Sequence, residues 1–299
     1  MDAAAQHKGC CIRAPRPLSL MFESEEFGVG VVTFSRGGKG EPLLLIHGIG
    51  SRRQVWDPLL PALSAHRDVI AVDLPGFNGS PVGEVTPTVA GYADALQRFC
   101  RDSGIDQPHV AGNSLGGAIA LELGNRGSAR SVTAFAPVGF WGTVGRSWSQ
   151  RALSLVRHAA PPLLPVLPTI ARFVPGRVAA AGLFYGRPSE LTADAVVQDS
   201  KALVKAAAFD EVLASFAEYT FVPTAELDRV PVTVVWGTRD LVLPSITQSA
   251  QARRRLPRAR HVRIRGGGHV PFSDDPAACS QVLLGLHAGC GCATDVARR

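Results

Sequence analysis

Residues 109–120, His109-Val110-Ala111-Gly112-Asn113-Ser114-Leu115-Gly116-Gly117-Ala118-Ile119-Ala120, constrain the fold more than any other stretch of this chain. An apolar, strand-like run (Val110, Ala111) meets a serine set between glycines, and a helix-forming run follows at once. Glycine permits a tight backbone path and close approach of neighbouring chain, so Gly112 and Gly116 fit a sharp strand-to-helix turn that pushes Ser114 out at its tip. The pattern is G-x-S-x-G. By itself it is only moderately specific, and its weight comes from what surrounds it.

The surroundings are a series of short, continuous apolar runs, each ending in a turn-forming cluster. Leu43–Ile46, Val69–Val72, Val132–Phe135, Val232–Trp236 and His261–Ile264 read as strands, the first two as strands buried on both faces of a parallel sheet. A further β-rich run, Phe27–Phe34, ends at the turn-forming Arg36-Gly37-Gly38-Lys39-Gly40. Helical periodicity lies between them: from Val55 to Leu63, from Thr88 to Cys100, across Ala118–Leu123, from Ser245 to about Leu256 and from Pro276 to His287. Strands alternating with helices predict an α/β layer architecture with a largely parallel sheet. From 139 to 228 the pattern changes to short helical segments broken by prolines, which predicts a helical lid inserted between two strands.

With 299 residues and 46% hydrophobic content, the chain can bury a full core. The expected division is a loose arm over 1–17, a core over 18–138 and 229–288, the lid over 139–228, and a frayed tail over 289–299. The net charge of +6 comes almost wholly from arginine, and the basic cluster at 253–265 has no interleaved aromatic residue, so nucleic acid is not expected as a partner. The six cysteines lack zinc-site spacing, and free thiols are expected. Neither a signal peptide nor a run of about 20 apolar residues is evident, so a cytoplasmic protein without a membrane span is expected. Oligomeric state is not encoded in any pattern here.

Three chemistry-bearing residues follow strands, in the order Ser114, Asp240, His269. Asp240 lies just past Val232–Trp236, and His269 follows three glycines after the last strand. His47 and Asp73 also sit at strand ends, but they read better as structural groups, the aspartate as the cap of the Pro75-Gly76 turn.

The order serine, acid, histidine, together with five motifs, resembles the α/β-hydrolase fold family, in its lid-bearing serine esterase and C–C-bond hydrolase branch. The motifs are His47-Gly48-Ile49-Gly50, Asp73-Leu74-Pro75-Gly76-Phe77, Gly112-Asn113-Ser114-Leu115-Gly116-Gly117, Trp236-Gly237-Thr238-Arg239-Asp240 and Gly267-Gly268-His269-Val270-Pro271. Asn78 departs from the glycine that relatives usually carry in the Asp73 turn, so a local change is expected there.

The resemblance implies a mostly parallel eight-stranded sheet flanked by helices and carrying the lid. It implies a triad of nucleophile Ser114, base His269 and carboxylate Asp240, with an oxyanion hole from the N–H groups of Leu115 and Ile49, or Gly50 in place of the latter. Phe140, Trp141, Phe216, Tyr219 and Val270 are the expected substrate contacts. A serine at the elbow, where dehalogenases and epoxide hydrolases of this fold place aspartate, makes acyl transfer the natural chemistry. The expected activity is hydrolysis of a carboxylic ester or thioester of a small hydrophobic substrate, with no metal or organic cofactor. The alternatives are C–C cleavage of a diketone, disfavoured by Ile49-Gly50-Ser51-Arg52 where such enzymes carry H-G-S-G-P-G, and a non-hydrolytic ligand-binding or cyclising protein on the same fold.

Overall fold

The computed structural model describes residues 23–26 and 32–285. The expected arm and tail, the start of the core near Leu18, and Cys10, Cys11, Cys290 and Cys292 lie outside the described residues.

Eight strands form one sheet in the order β1-β2-β4-β3-β5-β6-β7-β8: β1 (Glu23–Glu26), β2 (Thr33–Gly38), β3 (Pro42–Ile46), β4 (Asp68–Val72), β5 (His109–Asn113), β6 (Ser131–Phe135), β7 (Val232–Gly237) and β8 (Arg260–Ile264). β1 and β2 pair antiparallel at one edge, and every pairing from β4 through β8 is parallel. The continuous apolar runs are buried on both faces, because side chains alternate across a strand. In β3, Leu44 and Ile46 join the cluster under α2 (Val89–Asp102) and α3 (Leu115–Asn125), whereas Leu43 and Leu45 join the opposite cluster with Trp56, Phe135 and Phe272. There Trp56 and Phe272 stack at 4.0 Å between ring centres.

Two local expectations are corrected. The Arg36-Gly37-Gly38 turn is the end of β2, which pairs with β4 as far as Gly38 opposite Asp68. The helix expected over Val55–Leu63 is a 3-10 turn over Arg53–Leu59 followed by a four-residue helix, α1 (Leu60–Leu63). Pro58 and Pro61 lack the N–H that a continuous α-helix needs there. β1, with the sequence Glu-Ser-Glu-Glu, carries no apolar pattern by which it could be foreseen.

Between β6 and β7 the chain leaves the sheet and forms only helices: α4 (Thr143–Ala159), α5 (Leu167–Ile170), α6 (Val174–Ala181), α7 (Ala193–Lys205) and α8 (Phe209–Ser215), with short 3-10 turns among them. Arg157 ties α4 to the end of α7, donating to the carbonyls of Leu203 (3.1 Å) and Ala206 (3.3 Å), and lies 5.5 Å from the Phe209 ring centre. After β7 come α9 (Ser245–Arg255), β8 and α10 (Pro276–Leu283).

Candidate active site

β5 lies in the middle of the sheet, and Ser114 stands at its carboxyl end, between the last strand residue and the first residue of α3. The turn is as sharp as the sequence requires: Ser114 has φ +56°, a region that side-chain-bearing residues adopt only when the surroundings enforce it. Those surroundings are visible. The Ser114 N–H donates to Phe135 O of β6 at 2.9 Å, and its carbonyl accepts from Ala118 and Val138. A Cβ on Gly112 would stand 2.0 Å from Gly116 O, and one on Gly116 would stand 2.2 Å from Ile46 O, so no larger residue fits either place.

Asp240 and His269 arise from the neighbouring strands β7 and β8. Both are buried, and the His269 Nδ1–H donates to Asp240 Oδ2 at 2.9 Å. The second carboxylate oxygen accepts the N–H groups of Val242 (3.0 Å) and Leu243 (2.8 Å), which fixes the carboxylate plane. Nδ1 is thus committed to Asp240, leaving Nε2 as the other ring nitrogen.

The loop after β3 approaches the serine from the other side: a Cβ on Gly48 would lie 3.1 Å from that of Ser114. Gly48, Ile49 and Gly50 line the same cavity as Ser114 and His269. Leu115 opens α3, and the first N–H groups of a helix have no partner within it. His47, buried at the base of this loop, accepts the Leu74 N–H on Nε2 (3.0 Å) and turns Nδ1 to Gly48 O (2.7 Å). Both ring nitrogens are thus committed to backbone, and burial holds the ring neutral by pushing its pKa down against the raising influence of Asp73. Asp73 accepts the Arg53 N–H at 2.6 Å, the Arg53 guanidinium and the Asn78 amide (2.8 Å). The expected local change is found at Asn78: it takes φ +47° and returns its side chain to Asp73.

The cavity over Ser114 holds about 350 Å³ and has a predominantly apolar wall. The strand-end loops form its floor, and α4 through α7 supply Val156, Leu164, Leu167, Leu183, Phe184 and Leu203 among the rest.

The family model described as the alpha/beta hydrolase family matches residues 43–282. The chain belongs to the alpha/beta hydrolase family. An uncharacterized protein of Mycobacterium tuberculosis is 28% identical over 260 residues, covering 82% of this chain and 74% of its own. An epoxide hydrolase of the same organism is 28% identical over 209 residues, 67% of this chain and 95% of its own. Among solved structures, a membrane phospholipase A described as a bacterial virulence factor superposes with a TM-score of 0.71 at 22% identity, covering 89% of this chain and 86% of that one. Membership of this family supports hydrolysis as the class of reaction.

Within this family framework, four of the expected substrate contacts are placed elsewhere. Phe140, Trp141, Phe216 and Tyr219 pack into the core beneath α4 and α8, Trp141 against Phe216 at 5.6 Å with its indole N–H on Tyr219 O, and none of the four lines the cavity. Helical periodicity shows that such residues face inward but not which inward surface they face. Val270 does line the cavity.

Other residues went unread in the sequence. Asn113 donates its amide to His269 O (2.9 Å), tying the elbow directly to the histidine loop. Buried Asp274 accepts the N–H groups of Gly186 (2.9 Å), Arg187 (2.7 Å) and Gly268 (2.7 Å), so one carboxylate joins the helical insertion to the glycines before His269. Asp199 of α7 accepts from Arg52 (2.9 Å) and from the Tyr185 hydroxyl (2.7 Å), a second tie between the insertion and the loop carrying Ile49. Burial and the adjacent carboxylate push the Tyr185 phenol well above its ordinary pKa, so it remains a donor. Only their polarity within apolar stretches marks these residues in the sequence.

Proposed function

We propose that this hydrolase cleaves a carboxylic ester or thioester of a hydrophobic substrate through an acyl-enzyme formed on Ser114. What carries this reading is one arrangement: Ser114 shares an apolar cavity with a histidine whose Nδ1–H is committed to buried Asp240. Ser114 Oγ attacks the substrate carbonyl while His269 Nε2 takes its proton, and the resulting imidazolium is balanced by Asp240. The oxyanion is received by the N–H of Leu115, at the start of α3, and that of Ile49, with Gly50 as the alternative donor. Loss of one such donor typically costs about 3–4 kcal/mol of transition-state stabilisation. The imidazolium protonates the departing alcohol or thiol, and water then repeats the sequence on the acyl-enzyme.

A serine nucleophile separates this reading from the chemistry of the epoxide hydrolase relative, because an attacking alkoxide is suited to a trigonal carbonyl that can expel its leaving group and regenerate the serine with water. The helical insertion acts as the lid, and its apolar lining selects an apolar acyl group. The decisive experiment is turnover of a short-chain p-nitrophenyl ester together with labelling by a serine-directed phosphonate. Wild type is expected to do both and Ser114→Ala neither; a folded wild type inert to ester and phosphonate alike sinks the proposal.

A further inference from the structure

The outer face of the insertion has a composition found nowhere else in the chain. From 139 to 189 there is no aspartate or glutamate, although the whole chain carries 25, while the same stretch holds six arginines. Within it, Leu163, Val166, Ile170, Phe173, Val174 and Val178 are all exposed, Phe173 by 65%. They occupy consecutive turns that pack on one another: Gly176 of α6 lies directly against the Ile170 carbonyl, and Arg177 donates to the carbonyls of Ala171 and Arg172. On α4, Arg151, Leu155 and His158 share one exposed face at helical spacing, with Leu155 70% exposed. Isolated exposed apolar residues are ordinary in a soluble domain, but a run of this length on adjoining turns is an interaction surface.

Two further facts identify the occupant. Every formal charge in this stretch is positive; on the adjoining helices Asp199 pairs with Arg52 and Asp210 lies 4.0 Å from Arg157, while Asp194 and Glu211 stand exposed. The surface is also continuous with the cavity, since Leu155 and Leu163 are both exposed outside and part of the wall around Ser114. Apolar knuckles set among cations fit the interface of an anionic bilayer, where the apolar side chains enter the headgroup boundary and the arginines meet lipid phosphates. We propose that this face docks on an anionic lipid surface and that substrate passes from the lipid past Leu155 and Leu163 into the cavity. The docking stands on the surface alone, and the entry route rests on the acyl-hydrolase reading above.

The test is co-sedimentation of the full chain with phosphatidylcholine vesicles, with and without phosphatidylglycerol. Wild type is expected to sediment with the anionic vesicles and to be released by salt. The pair Phe173→Asp/Val178→Asp is expected to lower partitioning by about tenfold or more, and Arg151→Glu/Arg172→Glu by about tenfold. Val222→Asp, an equally exposed apolar position beside the far end of α3, is expected to leave it unchanged. All variants keep their turnover of a water-soluble short ester, which shows that they are folded. Wild type that stays in the supernatant, or that binds neutral and anionic vesicles alike, overturns the proposal. So does a lipid-free dimer that the Phe173→Asp/Val178→Asp pair dissociates, since a second copy then covers this face. Vesicle binding by a chain inert to esters supports the docking while removing the hydrolytic reading.

Discussion

The strand-end loops and the helical insertion meet across one cavity, yet they are held by different forces. On the sheet side almost every polar group is committed: both oxygens of Asp240, both nitrogens of His47 and the amide of Asn113 have defined partners. On the insertion side the wall is mostly aliphatic, and its position rests on packing together with hydrogen bonds to the rest of the fold that include those of Asp274, Asp199, Trp148 and Ser149. Hydrogen bonds fix a direction, whereas apolar packing fixes only a volume. On the proposed mechanism, geometry of reaction belongs to the sheet and selection of substrate to the insertion, where a change of side-chain size is tolerated.

The largest effect expected from breaking this division is on the sheet side. Asp240→Asn is expected to lower kcat by about 10⁴-fold, by removing the charge and proton placement that orient His269, with little change in Tm. A loss of less than tenfold in ester turnover would dissociate the buried pair from the chemistry. Next comes the joint between the two regions. Asp274→Ala leaves three N–H groups without their acceptor in a buried place and is expected to destabilise the fold by about 2–4 kcal/mol, read from urea unfolding. Unchanged stability would mean that the insertion does not depend on this tie.

On the insertion side, Ala180→Phe narrows the apolar wall. It is expected to raise KM for long acyl esters by about tenfold while short esters change by less than about twofold. An equal loss of kcat for both would show that the insertion also shapes the reaction geometry.

The smallest effect concerns pH. His47 is neutral in the fold with its pKa held below the ordinary value, so the unfolded chain binds the extra proton first as acid is added. Stability is therefore complete above about pH 6.5 and declines as pH falls below it. His47→Gln is expected to flatten that decline in denaturation midpoints measured between neutral and acid pH.

The same division explains what the sequence disclosed. That Ser114, Asp240 and His269 gather at strand ends was legible because each follows an apolar strand run with a glycine within three residues before it, a local pattern with a local cause. Asp274 was not: it stands beside Asp275, which caps α10 by accepting the Ala278 N–H, and nothing local says which of the two reaches a segment 88 residues away. The acidic edge strand β1 was missed because its pairing with β2, rather than its own residues, makes it a strand. The cavity wall was misassigned to Phe140, Trp141, Phe216 and Tyr219 because large aromatic rings serve a core as readily as a pocket.

The position of β5 carries a last consequence. It is bonded along its length to β3 on one side and β6 on the other, so it has no free edge from which to fray. Local opening starts at margins and termini, and a central strand comes apart only with the whole sheet. The serine is therefore mounted on the part of the molecule that is last to loosen: the elbow keeps its shape until global unfolding, and partial openings of the insertion change access to Ser114 without disturbing the turn that presents it.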